Sequence, residues 1–514
     1  MFLQLTLFGQ SNNLTRINII HADSYIIKKV DSQHDYIILR GNVVLEDKTT
    51  IIKTDSAVSN AASNIIECFG NVKIDDGDSI KIRSKYAFYN GQTKDSKLRN
   101  DVQLTDKIST VFTDSFDYNF DTKIGQYTQG GKMVRKDMSI KSKIADYNGT
   151  NKIITFYEKV LYTQKTNKII GDELIYNEVS DLININKPAV IYQDKRIIIT
   201  DSAWYNFKNK KGALFKRSII IDSGYKLFAD NMWLDDSSNE NFYQGSVFIK
   251  TKEDNYKELH SEYMKTNTNK DYLQAYQDAW ALIIQNKSKF YLRADTLIVG
   301  KITDLKPDSL WYSKRLDTLP FKLDTTKLHY VMAYHNVKMF NDSIQALCDS
   351  FFYTQYDSVA GLYGNPIIWL TNTQLTADTM NIWIKNKEIE KLILTEHSFA
   401  INSVDTTLRF FNQLKAGFMN FNFDSNRLYD ANMRQNCETI YFLQDNQQRF
   451  IGLNKSTSRR LWMRFQNNRP TYIKYIDNID GKTFPIKNLS VELELRGFHW
   501  LEDIRPKKWF DIFY

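Results

Sequence analysis

The chain has 514 residues, a formal net charge of +8, and an apolar share of 42% against a charged share of 25%. This length suits roughly two or three ordinary domains or one extended array of repeats, and the apolar share is large enough to bury a core. The basic residues alternate with acidic ones and do not cluster, so a nucleic-acid-binding face is not predicted. No run of about 18 apolar residues occurs, so a transmembrane helix is not predicted either.

The side-chain content favours β-structure. The 30 Tyr and 31 Phe residues suit a half-buried sheet surface, because aromatic side chains pack well on the pleat. With only 20 Gly and 7 Pro, turns are expected at Asn and Asp, which tolerate the left-handed backbone region. Cys68, Cys348 and Cys437 lack metal-ligand spacing, so buried free thiols are favoured, and a Cys348–Cys437 disulfide stays open.

The chain begins with a short apolar run, MFLQLTLFGQSNN. The run has no basic residue in front of it and ends in small and polar residues, so it is similar to the tail of a secretory signal. We therefore predict a signal-peptide remnant or an unstructured start over residues 1–19, and an exported protein. A short apolar first strand is the alternative.

A short motif recurs from there to about residue 302. Gly-Asn-Val stands at residues 41–43 and again at 70–72, which places the two glycines 29 positions apart (70 − 41). Variants continue at residues 100–102, 131–134, 158–160, 187–190, 217–219 and 245–247. A second motif, Thr-Asp-Ser, lies between them at residues 54–56, 113–115 and 200–202. Two motifs at a fixed period indicate a stacked-repeat architecture.

Within one repeat, apolar and polar residues alternate in short runs, as in residues 103–122. Such alternation predicts strands with one buried face, and a single repeat cannot bury that face alone, so the repeats must stack. The predicted fold is all-β, a solenoid of stacked antiparallel strands in repeats of about 30 residues. We expect the interior wall to include the apolar residues that follow the motifs, namely Val43, Leu45, Ile51, Val72, Ile74, Ile80, Val102 and Leu104.

The period breaks at residues 303–328, which hold two of the seven prolines and are predicted to form an insertion or linker. The motif resumes at residues 335–337 and 364–367. We therefore predict two arrays, the first over residues 20–302 and a more divergent one over residues 329–470. A carboxyl-terminal extension over residues 471–514 does not resemble the repeats.

Catalytic motifs are not evident: the seven histidines are dispersed, and neither a phosphate-binding loop nor a nucleophile elbow occurs. The Asp-Ser pairs recur, whereas a catalytic pair occurs once, so a turn or a layer-to-layer hydrogen bond is the favoured interpretation. No enzyme activity, metal or cofactor is predicted. A β-helical polysaccharide-degrading enzyme is the alternative; it would need carboxylates in adjacent layers, and Asp55, Asp114 and Asp201 do not stand in consecutive repeats.

The repeats resemble the OstA-like (organic-solvent-tolerance protein A-like) domain of lipopolysaccharide transport proteins in Gram-negative bacteria. The segments that carry the resemblance are residues 22–24, 39–43 and 54–57. The resemblance covers about residues 20–300 well and 330–440 loosely. The end of the chain is similar to that of long OstA-like proteins of Bacteroidetes-type bacteria, through Gly497, Trp500, Arg505 and Pro506.

This resemblance implies an antiparallel β-jelly-roll array, or β-taco, in which two sheets form an open V. Its apolar inside would hold the lipid A acyl chains of lipopolysaccharide, which makes the eight residues above the expected lipid-facing positions. It also implies a periplasmic bridge protein that joins other OstA-like transport proteins by edge-strand stacking, with an outer-membrane barrel as a further partner.

Three points stay open in the sequence. The interior can be an accessible groove or a core filled by its own side chains. The second array can carry lipid, bind a partner or form a cap. A scaffold associated with the outer membrane that uses only its edge strands is a further alternative to the lipid-carrying bridge.

Overall fold

The computed structural model describes residues 16–29, 35–60, 62–77, 80–251, 256–285, 288–305, 328–386, 388–404, 410–445, 447, 449–466, 469–488 and 492–514. Its contacts divide the chain into two units, Met1–Ser223 with Asp235–Ser237 and Gly224–Leu234 with Ser238–Tyr514. Residues 1–15 of the predicted signal-peptide remnant lie outside the described residues. Residues 306–327 of the predicted linker do so as well. The predicted domain bounds therefore stay predictions.

The first unit is built from antiparallel β-strands, as its ladders show from the β1–β3 pair to the β17–β19 pair. Its strands are β1 (Asn18–His21), β2 (Ser24–Lys29), β3 (Asp35–Asp47), β4 (Thr50–Asn60), β5 (Ile65–Asp75), β6 (Lys81–Asn90), β7 (Asp95–Thr105), β8 (Thr110–Asn119), β9 (Ile124–Tyr127), β10 (Gly131–Arg135), β11 (Met138–Ser142), β12 (Ile144–Asn148), β13 (Ile153–Gln164), β14 (Asn167–Asn177), β15 (Leu182–Ile185), β16 (Ala189–Gln193), β17 (Arg196–Thr200), β18 (Ser202–Asn206) and β19 (Lys211–Ile221).

The second unit contains the remaining strands, apart from Asp235 at the end of β20. They are β20 (Tyr225–Asp235), β21 (Glu240–Thr251), β22 (Lys257–Asn267), β23 (Tyr272–Gln285), β24 (Ser288–Lys301), β25 (His329–Phe340), β26 (Ile344–Thr354), β27 (Val359–Tyr363), β28 (Ile367–Leu370), β29 (Thr373–Thr376), β30 (Thr379–Lys385), β31 (Glu388–Ser403), β32 (Phe411–Asp424), β33 (Arg427–Gln444), β34 (Phe450–Gln466), β35 (Arg469–Ile476) and β36 (Asp480–Pro485). The predicted all-β fold of stacked antiparallel repeats is confirmed.

Helical structure is confined to short 3-10 segments in the described part of the chain, at Ile302–Asp304, Ile486–Asn488, Glu502–Ile504 and Trp509–Phe513. Among the described residues, no helix has the length and apolar content that crossing a membrane requires. The three cysteines are buried and free, as predicted.

Left-handed residues bend alternate long strands, such as β3, β7 and β13, into two halves. In β3, Gly41 has a φ of 76° and Asn42 a φ of 46°, and the strand register shifts between Arg40 and Val43. Glycine, and after it asparagine, reaches this backbone region at the lowest steric cost, which explains the Gly-Asn of the motif. We call this bend the corner. Left-handed pairs recur at residues 100–101, 158–159, 216–217, 245–246, 277–278, 335–336, 364–365, 396–397 and 435–436.

The strands form one continuous hydrogen-bonded ladder, and the corners divide it into two layers, which we call the first and the second sheet of the first unit. The first sheet contains the strand halves that align, through successive strand pairs, with residues 35–40 of β3. The second sheet contains the strand halves that align with residues 43–47. Side chains alternate between the interior and the outside in both sheets. In β4, for example, Ile52 and Ala57 are buried, whereas Lys53 is exposed.

The Thr-Asp-Ser motif joins one layer to the next at the corner. The Thr54 hydroxyl donates to the carbonyl oxygen of Phe69 at 2.8 Å. The Asp55 carboxylate accepts from the main-chain and side-chain N–H groups of Asn71, at 3.0 and 2.9 Å. The interpretation of the Asp-Ser pair as a layer-to-layer hydrogen bond is confirmed at this motif.

Asparagine turns end the strands of the first sheet. The side-chain oxygen of Asn148 accepts from the main-chain N–H groups of Thr150 and Asn151 at 3.1 and 3.3 Å. The same turn is present at Asn60, Asn90, Asn119, Asn177 and Asn206. These turns bear out the expectation that Asn would replace Gly and Pro as the turn residue.

Candidate functional site

A continuous apolar row runs along the interior face of the second sheet in the first unit. It consists of residues that stand directly opposite one another in successive strands, beginning with Ile19, Leu45 and Ile52. It continues through Ile74, Ile82, Leu104, Val111, Met133, Ile140, Tyr162, Ile169, Ile191, Ile198 and Ile220. We call it the inner row of the first unit. Only Tyr162 brings a polar atom into it, and that hydroxyl donates to Gln164 at 2.8 Å.

Seven of the eight predicted interior residues do lie in the interior. Each of these seven side chains is at most 2% exposed. The residues are Val43, Leu45, Val72, Ile74, Ile80, Val102 and Leu104. Leu45, Ile74 and Leu104 stand in the inner row itself. Whether any of the seven contacts lipid stays a prediction.

The interior position predicted for Ile51 is wrong. Its side chain is 40% exposed, whereas that of the neighbouring Ile52 is 1% exposed. Successive side chains of a strand point to opposite faces, so only one of two adjacent isoleucines can face inward. The register decides between them, because Ile52 pairs with the inward-facing Leu45 and Ile51 pairs with Glu46.

The interior is exposed to solvent at the end formed by β1 and β2. Tyr25 and Ile27 of β2 pair with Leu39 and Ile37 of β3 and so continue the interior face of the first sheet. They are 65% and 55% exposed, whereas Leu39 in the next strand is fully buried. The first strand in each sheet therefore presents apolar interior side chains to solvent.

Along its length, in contrast, the first unit is closed by polar side chains that join the two sheets opposite the corners. Asp47, at the end of the second sheet in β3, accepts from the Tyr89 hydroxyl at 2.6 Å and from the Lys94 ammonium at 2.5 Å. The Asp47 and Lys94 side chains are 1% and 6% exposed, so this ion pair is buried. A buried pair of this kind resists separation, because removing one partner leaves an uncompensated charge.

The same arrangement recurs further along the unit. Asp106 accepts from the Lys152 ammonium at 3.0 Å and from the Tyr147 hydroxyl at 3.3 Å. In a later layer the basic residue lies in the second sheet and the acidic residue at the end of the first. There Arg135 donates to Asp181 at 3.0 Å. Together these three sets of side chains form what we call the polar seam.

One buried carboxyl near the seam has an altered titration. Glu178 is 1% exposed and accepts a hydrogen bond from the hydroxyl of Ser109, the residue just before β8. Burial raises the pKa of the Glu178 carboxyl to about 7, although the Ser109 hydrogen bond acts in the opposite direction. This group therefore changes its charge near neutral pH inside the first unit.

The seam tyrosines belong to a repeat that the sequence analysis missed. The dipeptide Tyr-Asn stands at residues 89–90, 118–119, 147–148, 176–177 and 205–206, and each step is 29 residues (118 − 89, 147 − 118, 176 − 147 and 205 − 176). Its Asn makes the turn, and its Tyr lies in one ladder row of the first sheet. A search for identical dipeptides at the 29-residue period would have found it.

The chemistry of the interior suits an apolar guest. Each methylene buried against the inner row would gain roughly 0.8 kcal/mol. Among the described residues, no group of three or more His, Cys, Asp or Glu side chains is arranged to hold a metal ion.

Comparison with known proteins gives three findings. The model of the family described as OstA-like protein matches residues 14–169. No curated protein sequence matches the chain. Among solved structures, the chain is similar to LptH from Pseudomonas aeruginosa, described as the LptA homologous periplasmic component of the conserved lipopolysaccharide transport device. That similarity has 13% identity and a TM-score of 0.20, over 20% of this chain and 80% of that one. The family match falls within the first unit and contains both motifs, so this part of the chain is similar to OstA-like proteins.

Proposed function

We propose that this protein is a non-enzymatic periplasmic bridge that carries lipopolysaccharide toward the outer membrane and holds its acyl chains against the inner row of the first unit. The observation that carries the proposal is the inner row itself, which is apolar from Ile19 to Ile220 and exposed to solvent at the β1–β2 end. The match of residues 14–169 to the OstA-like family model supports it, because the resemblance implies lipopolysaccharide as the cargo.

The acyl chains enter at the β1–β2 end. Ile19, Tyr25 and Ile27 are accessible there, whereas the interior residues of the following layers are buried. Further entry requires the two sheets to part, so that acyl chains replace contacts between opposing side chains. Replacing side-chain contacts with acyl-chain contacts changes the free energy little, because both are apolar. The main energetic cost of separating the two sheets therefore comes from breaking the polar seam.

Partners of the same family join at the same end. Within the described residues, β1 and β2 each pair with β3 and with no second strand, so both present free edges. A free strand edge is a template for pairing with another chain, and natural proteins usually protect it. Stacking of another OstA-like protein on this edge would extend both sheets and the interior between them.

Two carboxylates at corners favour a transport role over the polysaccharide-degrading alternative. Asp55 is engaged with Asn71, and Asp295, at the register shift of β24 in the second unit, accepts from the Asn336 side chain at 3.1 Å. A catalytic carboxylate needs access to substrate and a suitable protonation state. These carboxylates instead bond neighbouring layers.

The experiment is site-specific photo-crosslinking in cells with a photoreactive residue at Ile74 or at Lys73. These neighbours lie in β5 on opposite faces, Ile74 buried in the inner row and Lys73 exposed. We expect a lipopolysaccharide adduct from position 74 and none from position 73. Equal labelling at both positions, or none at position 74, would exclude the interior as the carrier and favour the edge-only scaffold.

A further inference from the structure

The interior wall of the second unit differs from the inner row of the first. The register defines one row of buried side chains across its strands, each at most 8% exposed: Leu282, Tyr291, Phe340, Gln345, Trp369, Gln374, Ile401, Gln413 and Ile440. Three of the nine are glutamines. A buried amide needs hydrogen-bond partners, since an unsatisfied one costs about 1–3 kcal/mol.

The carboxyl-terminal segment of the chain supplies those partners. Gln413 accepts from the main-chain N–H of Leu495 and donates to the carbonyl oxygen of Leu493, both at 2.8 Å. Gln374 repeats this pattern, accepting from the N–H of Leu501 and donating to the carbonyl of His499, both at 2.7 Å. Each side-chain amide thus bonds a carbonyl and an N–H of the segment, as a neighbouring peptide group would.

The segment, residues 492–514, follows the wall against chain order. After Gln413 and Gln374 it reaches Gln345, whose side-chain oxygen accepts from the Arg505 guanidinium at 2.9 Å. It ends at Arg293, which donates to the carbonyl oxygen of Ile512 at 3.1 Å. We call these 23 residues (514 − 492 + 1) the tail.

Apolar side chains of the tail fill the wall between these hydrogen bonds. Leu495 is 4% exposed and packs in a cluster with Phe399, Ile401, Ile440, Phe442 and Leu453. Ile512 is fully buried with Leu282, Tyr291 and Phe340. Trp509 stacks on Tyr291 with ring centroids 5.5 Å apart. The tail therefore occupies on this wall the place that an acyl chain would need.

We propose that the interior wall of the second unit is a binding site for the chain's own tail, and that this occupation confines lipid to the first unit. The inference rests on the proposed function for the identity of the excluded ligand. An acyl chain cannot replace the tail at equal free energy, because it offers no donor or acceptor to Gln374 and Gln413. In the first unit, the described residues of the inner row include no amide side chain, so acyl chains leave no such group unpaired there.

The test places a photoreactive residue at Ile401 of the second unit or at Ile74 of the first, in the full chain loaded with lipopolysaccharide. In the otherwise unaltered protein, position 401 should give an intramolecular adduct to the tail, mapped by mass spectrometry. Its lipid adduct should be at least about tenfold weaker than that at position 74, the ratio that 1.4 kcal/mol produces. A strong lipid adduct at position 401 would overturn the proposal.

A second variant releases the tail. Gln374→Leu combined with Gln413→Leu keeps apolar volume on the wall but removes the amides, and Gln126→Leu, at an exposed position of β9, is the matched control. We expect faster proteolysis of the tail and at least about a tenfold gain of lipid adduct at position 401 only in the double variant. A released tail without that gain would overturn the proposal.

The two proposals fail separately. Loss of the lipid adduct at position 74 would end the proposed function while the tail adduct at position 401 remained. A tail adduct absent from the unaltered protein would end the present inference while lipid labelling at position 74 remained.

Discussion

Tyr89 donates a 2.6 Å hydrogen bond to Asp47, although the two residues align with opposite ends of the long strands. The register aligns Tyr89 with Ile66, Ser59 and finally Ile37, which is ten residues from Asp47 along β3 (47 − 37). In a straight strand those ten residues would span about 33 Å. The corner at Gly41 and Asn42 must therefore fold the second half of β3 back over the first half.

Asp47→Asn should weaken this closure strongly. It removes the negative charge that the buried Lys94 ammonium contacts at 2.5 Å, and loss of one partner of a buried pair costs about 3–5 kcal/mol. Adding Lys94→Met should recover part of that loss, because the buried ammonium is then gone as well. Hydrogen exchange of β3 and β6 amides measures the effect. Lys143→Met, which breaks the exposed Lys143–Glu158 pair, is the control and should change exchange little; an equal effect there would contradict the prediction.

Gly70→Ala should destabilise the corner more than Gly130→Ala does. Both glycines have a left-handed backbone, with φ values of 90° and 99°, so both substitutions add backbone strain of about 1–2 kcal/mol. A Cβ at position 70 would also collide with an Asp55 carboxylate oxygen, whereas one at position 130 meets nothing within 4 Å. Urea unfolding of the two variants gives the comparison. Equal midpoints would show that the Asp55 side chain moves aside without loss of stability and would contradict the prediction.

Glu178 should make the first unit less stable as pH rises. Its folded pKa of about 7 lies above its ordinary value of 4.5, so the folded state holds the proton more tightly between these values. Stability therefore falls through that window, and Glu178→Gln should remove the fall. At pH 8 the variant should exceed the unaltered protein by about 1–3 kcal/mol in free energy of unfolding, and at pH 4.5 the two should agree. Glu158→Gln, an exposed position, controls for the loss of one carboxylate; a lower stability of the Glu178 variant at pH 8 would be the contrary result.

Ile27→Asp should impair lipopolysaccharide binding, whereas Ile26→Asp should not. The two residues are neighbours in β2 and are 55% and 54% exposed, so their burial is matched. Only Ile27 continues the interior face, because Tyr25 and Ile27 share one face and Ile26 lies on the other. A loss of one acyl-chain contact worth about 1.4 kcal/mol would weaken binding about tenfold. Equilibrium binding to fluorescent lipopolysaccharide gives the ratio, and equal loss in both variants would place entry elsewhere.

The corner and the layer bonds were predictable from the sequence because they are local and repeated. Gly41 and Asn42 carry a backbone requirement that few residue types meet, and Asp55 bonds a residue only 16 positions away, so both leave a periodic trace. Which of Ile51 and Ile52 faces the interior was harder to predict from the sequence. Both are isoleucine, and the register that separates them depends on the turn at residues 48–49.

The role of the tail could not be predicted from periodicity. Gln413 and Leu495 are 82 positions apart, and Arg293 and Ile512 are 219 apart, and neither contact repeats along the chain. Three glutamines dispersed through a divergent array are also common surface residues. Only the strand register shows that Gln345, Gln374 and Gln413 share one buried row.

The repetition of the corner along the chain has a consequence for how the length of such a protein can change. Each repeat contributes two strands to a sheet, so one duplication or loss of a whole repeat alters the span by about 10 Å. It does so without changing which side chains face inward. Removing a single residue instead would send every following side chain of that strand to the opposite face. In the bridging role proposed above, selection can therefore adjust the length of the protein through the number of repeats.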